Sequence, residues 1–447
     1  MFSRPLTQTE WSTLQSYTRR IRSIREFLGL DFGSVLSPPV IGSLFPNLRY
    51  VSYVYTEESI PFFQLPLPSL LSLHVEFDSP HLFQNSLKSF PEFSPNIRRL
   101  SIAVCNLEAT FIKMEPSCIS RWRSLQCLVC SRVTLEVDDL VHLSSIPALT
   151  QLAFAVGATL PVHDAILVFP NLHDIVLRSE SLQSISQLLS WIRLPAITDF
   201  AAIITNCPSK QVLSSLLTVI QTSTSARHTI TTLSLEQSCP PPSAGNALRS
   251  RTLQLDLEDL RPCMGFSKLR CMSLDIGWNV GLTDNDLLTL ASTWPLLQQL
   301  TINIEWGWNT RGGITPNGLL RLLETCRSLD HFALAVDTRG YTEIFRSPKS
   351  VGVALPATTF IRVLDSFIEE ESVPAVSAFF ASIMPYFSYW AAAWDCPGIV
   401  KTRGWRKYQC RWYRVSSHVI ETASYSVNGW PVSTTFSGTR CHLNHFM

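Results

Sequence analysis

Residues 169–179 read FPNLHDIVLRS, and residues 146–156 read IPALTQLAFAV. Each places a proline two residues ahead of an aliphatic and then further apolar residues three and five positions beyond it. Proline cannot continue a helix, and the alternation after it suits a pleated strand with one buried face. Aligned on the first aliphatic, the pattern recurs at Leu48, Leu70, Ile97, Leu125, Leu149, Leu172, Ile197, Ile230, Leu269, Leu297, Leu329 and Phe387. Position four is then Val51, Leu73, Leu100, Leu128, Leu152, Ile175, Phe200, Leu233, Met272, Leu300, Phe332 or Trp390. Proline stands two residues ahead of the first aliphatic at Pro46, Pro68, Pro95, Pro147, Pro170, Pro195, Pro295 and Pro385. The spacing runs from 22 residues (Leu48 to Leu70) to 58 (Leu329 to Phe387), so the repeats lengthen toward the C-terminus.

This frame resembles the L-x-x-L-x-L pattern of leucine-rich repeats. Positions one, four and six turn inward while three, five and seven face out, so stacked parallel strands bury a core that one repeat could not form alone. Helical patterns lie between the strands at 137–146, 210–221, 284–293 and 315–326, the last with Thr315 as a cap and Pro316 in the first helical position. The predicted fold is α/β: a right-handed leucine-rich-repeat-like solenoid, a horseshoe with irregular repeats, parallel strands on its concave face and helices on its convex face. Asn or Cys is expected at position nine in that family. Only Cys105 fulfils this, and the loops should therefore be irregular. Residues 1–40 read as an N-terminal helical cap, 41–395 as the solenoid of about twelve repeats, 396–425 as a C-terminal cap and 426–447 as a disordered tail. In the first of these, Trp11, Leu14, Tyr17, Ile21 and Ile24 recur at helical steps, an amphipathic stripe suited to covering the open solenoid end.

Several blocks narrow the resemblance. RPLTQTEWSTLQSYTRRIRSI (4–24), DLEDLRPCMGFSKLRCMSLD (256–275), WPLLQQLTI (294–302), GITPNGLLRLLETCRSLDHFAL (313–334) and WAAAWDC (390–396) look like parts of the basidiomycete F-box/leucine-rich-repeat proteins. In that family the F-box docks the Skp-type adaptor of a cullin-RING ubiquitin ligase and the repeats hold the substrate. No LP-x-E-L-x-x-I-type helix precedes residue 4 here, so the adaptor is implied only if an F-box lies upstream.

Composition excludes other classes. Lys+Arg 36 against Asp+Glu 35 gives a net charge of +1, so nothing global draws the chain to nucleic acid or to an acidic membrane. Residues 373–394 carry no charge, but Pro374 and Pro385 divide them, and they read as a buried helix and strand rather than a membrane span. The cysteines follow no disulfide frame and the N-terminus has no apolar secretory core, which together suggest cytoplasm or nucleus. Cys127 and Cys130 form a CxxC, yet at positions three and six they point to opposite sides of a strand. The C-terminal set Cys410, His418, Cys441, His442 and His445 matches no zinc spacing. No nucleophile elbow, phosphate loop or zinc motif appears, so neither an enzyme nor a cofactor is expected.

What remains is a protein-binding module. It is read either as the substrate-recognition part of an F-box-type ubiquitin ligase subunit or as a stand-alone repeat scaffold. The candidate surface is the concave face and its rim. Glu236, Asp275, Glu305 and Asp337 form an acidic run suited to a basic segment of a protein partner, and Asn303 is an outward strand position. Trp278, Trp306 and Trp308 lie just past two consecutive strands, with Arg311 and Tyr341 expected nearby. Such loop aromatics serve either as binding anchors or as plugs folded back over the helix layer.

Overall fold

The proline of each repeat sits in a tight turn. The position-one N–H donates to the carbonyl three residues earlier, as in Leu48 to Phe45 (3.3 Å), Leu149 to Ile146 (3.2 Å) and Leu297 to Trp294 (3.0 Å). Proline thereby takes the second turn position, where its fixed φ fits. The computed structural model describes residues 7–28, 45–55, 67–79, 81, 83, 94–104, 111–113, 119, 121–158, 165–223, 228–238, 253–308, 313–339, 341, 360–383, 389–391 and 415.

The strands form one long parallel sheet, open at both ends. In spatial order, which is also chain order, they are Ser23–Leu28, Tyr50–Tyr55, Ser72–Phe77, Arg99–Val104, Cys127–Thr134, Gln151–Val156, Asp174–Ser179, Asp199–Ile204, Thr232–Gln237, Cys271–Asp275, Gln299–Ile302, His331–Ala333, Phe360–Arg362 and Tyr389–Ala391. The short strand Ile112–Lys113 pairs with the far end of Cys127–Thr134. Inward positions are buried as the frame requires: Leu172, Ile230, Leu269 and Leu329 at position one, and Leu128, Leu233 and Phe332 at position four, are all fully enclosed.

A second seam runs along the start of the strands. The position-two carbonyl of one repeat accepts both the position-two and position-three N–H groups of the next. Arg49 serves Leu71 and Ser72, Leu71 serves Arg98 and Arg99, and the relay continues to Gln298, which serves Asp330 and His331. Three asparagines add side-chain links between neighbouring turns. Nδ2 of Asn47, Asn96 and Asn171 donates to the carbonyls of Arg19, Pro68 and Pro147 at 2.8–2.9 Å. Each directly follows the repeat proline, so a side-chain amide ties these turns to the segment before them.

Helices return the chain between strands at Val137–Ser144, Leu182–Ser190, Lys210–Ser223, Asp284–Thr293 and Pro316–Thr325. Thr315 caps the last of these, its hydroxyl accepting the Gly318 N–H at 3.2 Å, with Pro316 first in the helix. Leu182–Ser190 was not among the expected helices; Ser181 caps it.

Two expectations are corrected. The N-terminal helix covers only Gln8–Thr18, and Ser23–Leu28 is instead the first strand of the sheet, so the solenoid begins inside the segment assigned to the cap. Ile21 and Ile24 happened to continue the helical spacing, but Ser23 and Ile24 pair with Tyr50 and Val51, and Tyr17 is 65% exposed. The long gap before Phe387 hides a further repeat, because Phe360–Arg362 pairs on both sides as a regular strand. Its position one is Thr358, which broke the aliphatic pattern. The uncharged stretch near the C-terminus contains the buried helix Val373–Ile383, and no helix among the described residues is long and apolar enough to cross a membrane. The expected C-terminal cap and tail lie outside the described residues, save Val415, as does the His/Cys set there.

Candidate functional site

The helices and loops cover one face of the sheet, and positions three, five and seven form the other, the open face. Register places Gln151, Asp174, Asp199, Thr232, Cys271 and Gln299 in one row across successive strands. Beside it runs a row of short side chains, Ala153, Val176, Ala201, Ser234, Ser273 and Thr301. A third row holds Arg178, Ile203, Glu236 and Asp275.

The floor between the charged rows is therefore low, and the polar groups stand along its edges. Thr301 donates its hydroxyl to Ser273 at 2.9 Å, and Gln151 Nε2 donates to Asp174 at 2.8 Å. Burial, with Asp199 on the adjacent strand, pushes the Asp174 carboxyl up to about 6. Burial also raises Glu236, against the pull of Arg178. Burial lowers Arg178 in turn, and its Nε is enclosed without a hydrogen-bond partner.

The loop after Gln299–Ile302 decides the fate of most candidate residues. Asn303 is not outward but wholly buried, with the left-handed φ of 56° that asparagine tolerates better than most residues. Its Oδ1 accepts the Ile276 N–H at 3.0 Å, and its Nδ2 donates to the carbonyls of Trp278 and Gly307 at 2.8 and 3.3 Å. This amide turns the chain back over the sheet edge. The backbone N–H of Glu305 then meets both oxygens of Asp275 at 3.2 Å. Asp275 is 4% exposed, and burial first, then Glu305 and Glu236, pushes its carboxyl up to about 8.

The three tryptophans are plugs in this structure, not exposed anchors. Trp278 is fully buried and donates Nε1–H to the Pro208 carbonyl at 3.1 Å. Trp306 reaches the Gln237 carbonyl at 3.4 Å, and Trp308 the Ile302 carbonyl at 2.9 Å. Apolar rings whose single donor finds a carbonyl gain more from enclosure than from a solvated rim. Tyr341 is buried as well, its ring edge-on to Phe379 with centroids 6.2 Å apart. Arg311 lies outside the described residues.

The acidic run is likewise interrupted. Asp275 is enclosed and tends to keep its proton, Arg178 stands in the row of Glu236, and Asp337 holds Arg339 at 2.6 Å. Glu236, Glu305 and Asp337 are half-buried, while Asp174 and Asp199, in a different row, carry the paired carboxylates of the face.

Sequence reasoning missed three residues that hold the loops after three successive strands, Cys271–Asp275, Gln299–Ile302 and His331–Ala333. Gln237 Oε1 accepts the Gly277 N–H at 2.8 Å, Asp365 accepts the Trp308 N–H at 2.7 Å, and Ser366 accepts the Val336 N–H at 2.7 Å. Asp365 and Ser366 follow the unrecognised strand Phe360–Arg362, and locating that repeat was the signal that would have exposed them. Gln237 sits at position eight, an inward polar residue on a strand whose other inward positions are leucine.

Cys127 and Cys130 are free and unlinked; Cys127 donates to Gln151 Oε1 and Cys130 to the Ala153 carbonyl, and burial raises both thiols. Among the described residues, no group of three or more His, Cys, Asp or Glu is placed to hold a metal ion.

No family model matches the chain, and no curated protein matches it. Among solved structures, a crystal structure of a TLR13–ssRNA13 complex is similar, with 11% identity, a TM-score of 0.36, and coverage of 79% of this chain and 54% of that one. The chain thus spans about half the length of that structure.

Proposed function

We propose that this chain is a protein-interaction module whose partner polypeptide lies across the open face of the sheet. The row of short side chains from Ala153 to Thr301, flanked by polar and charged rows, carries this reading: it lets a backbone approach closely while the edges supply directional contacts. A photo-crosslinking residue at Ser234 or Ser273 should capture a polypeptide, while one at Ser214 in the helix Lys210–Ser223 should not. Equal labelling from both positions would reject the open face as the site.

The finer proposal is that the module recognises substrates for an F-box-type ubiquitin ligase. Its support is the resemblance of the blocks at 4–24, 256–275 and 313–334 to that family. The alternative is a scaffold with no ligase role. Mapping the 5′ end of the transcript and testing its full product for capture of a Skp-type adaptor separates the two. Failure of the full product to bind the adaptor leaves the scaffold.

A further inference from the structure

We propose that the leading rim of the early repeats holds a binding cleft for a phosphomonoester group. This goes beyond the reading of the open face and stands without it. The cleft has a volume of about 380 Å³ and is lined by Arg49, Pro68, Ser69, Leu71, Asn96, Arg98 and Ser124. That volume is near the lower end of the roughly 300–1,000 Å³ typical of small-ligand sites.

Its chemistry is one-signed. Arg49 and Arg98 both occupy position two, on strands separated by Ser72–Phe77, so their backbones stand about 10 Å apart at two strand spacings. Leu71, the position-two residue between them, leaves a gap that two long guanidinium side chains can close from either side. Among the described residues, no carboxylate lines the cleft. Both arginines are exposed, and among the described residues neither guanidinium has an ion pair or hydrogen bond.

The floor is already satisfied internally, so it does not compete for them. Ser69 donates its hydroxyl to the Pro46 carbonyl at 2.7 Å, and Asn96 donates to the Pro68 carbonyl at 2.8 Å. The carbonyls of Arg49 and Leu71 each accept two N–H groups of the next repeat. What the cleft offers a ligand is two planar, permanently charged forks and the hydroxyl of Ser124. A doubly charged phosphomonoester balances two guanidiniums and accepts from both, whereas a carboxylate balances only one.

The test titrates the full chain with inorganic phosphate, O-phosphoserine and a short phosphoserine peptide, followed by ³¹P line broadening and calorimetry. Sodium acetate at equal ionic strength is the reference for screening alone. Binding should be saturable, and Arg49→Gln with Arg98→Gln together should weaken it by about tenfold or more. Arg321→Gln, on a helix far from the cleft, should leave it unchanged. A peptide that binds more tightly than O-phosphoserine assigns the group to a phosphorylated polypeptide; equal affinities assign it to a free small molecule. No saturable binding, or equal loss in the double variant and in Arg321→Gln, overturns the proposal. Circular dichroism of the double variant confirms that it is folded before its binding is read.

Discussion

At the scale of single residues, Asn303 and Asp275 make opposite contributions to the same loop. Asn303 has all its side-chain groups satisfied inside the protein, so Asn303→Ala strands the Ile276 N–H and two carbonyls. It should cost about 3 kcal/mol in urea unfolding, and Asn303→Gly, which suits the backbone angle but lacks the amide, should recover only part of it. Asp275 has a folded pKa raised to about 8, above its unfolded value. The folded state therefore holds a proton that the unfolded state releases, and stability falls as pH rises from about 4 to about 8. Asp275→Asn should flatten that slope, so that its stability relative to the unsubstituted protein is higher at pH 8 than at pH 5. A slope unchanged in the variant would assign the pH dependence to other groups. For Trp308→Ala, loss of an enclosed ring should cost about 3–5 kcal/mol, visible as a lower Tm, with binding per folded molecule preserved because the indole does not reach the surface.

Among the elements, the helix Gln8–Thr18 has the clearest structural duty. Thr7 and Glu10 form a reciprocal cap, Thr7 Oγ1 accepting the Glu10 N–H and Glu10 accepting the Thr7 N–H at 2.8 Å, and Trp11 is 1% exposed. The strand Ser23–Leu28 is the edge of the parallel sheet and needs cover on its unpaired side. Removing residues 1–20 should give a protein that associates in sedimentation, and a monomeric truncated product would show that the helix is dispensable. Strands and most helices were legible because their signals are local: proline turns, alternation, and caps such as Thr315–Pro316. The loops were not, because what buries Trp278 is a carbonyl 70 residues earlier in the chain, at Pro208. The candidate site suffered most for the same reason. An outward register position predicts exposure only if no later loop folds across it, and the segment Asn303–Trp308 does so at Asp275. Thr358 hid one whole repeat because a polar residue at position one removed the aliphatic on which the frame aligns, although Pro356 and Ile361 keep the rest of the pattern.

Taken as a whole, the molecule is a line of units in which most packing and hydrogen bonding joins sequence neighbours, so stability should vary along it rather than belong to the chain uniformly. Amide exchange should be slowest in the strands from Asp174 to Gln237 and faster toward Ser23–Leu28 and Tyr389–Ala391. Leu233→Ala, a cavity in a central repeat, should cost about 2–5 kcal/mol and speed exchange in the strands on both sides. Uniform acceleration over the full sheet would instead indicate a single cooperative unit.

The carbonyl relay along the leading rim links neighbours through backbone atoms alone, whatever side chain stands at position two: Arg49, Leu71, Gln126 and Thr150 all serve. A gene for such a chain can gain or lose a segment running from one proline turn to the next, and the new neighbours will find the same two N–H groups and the same carbonyl waiting. Copying errors of that length are therefore far gentler on this architecture than insertions of a few residues inside a strand, and the uneven spacing of its repeats is the kind of history such tolerance permits.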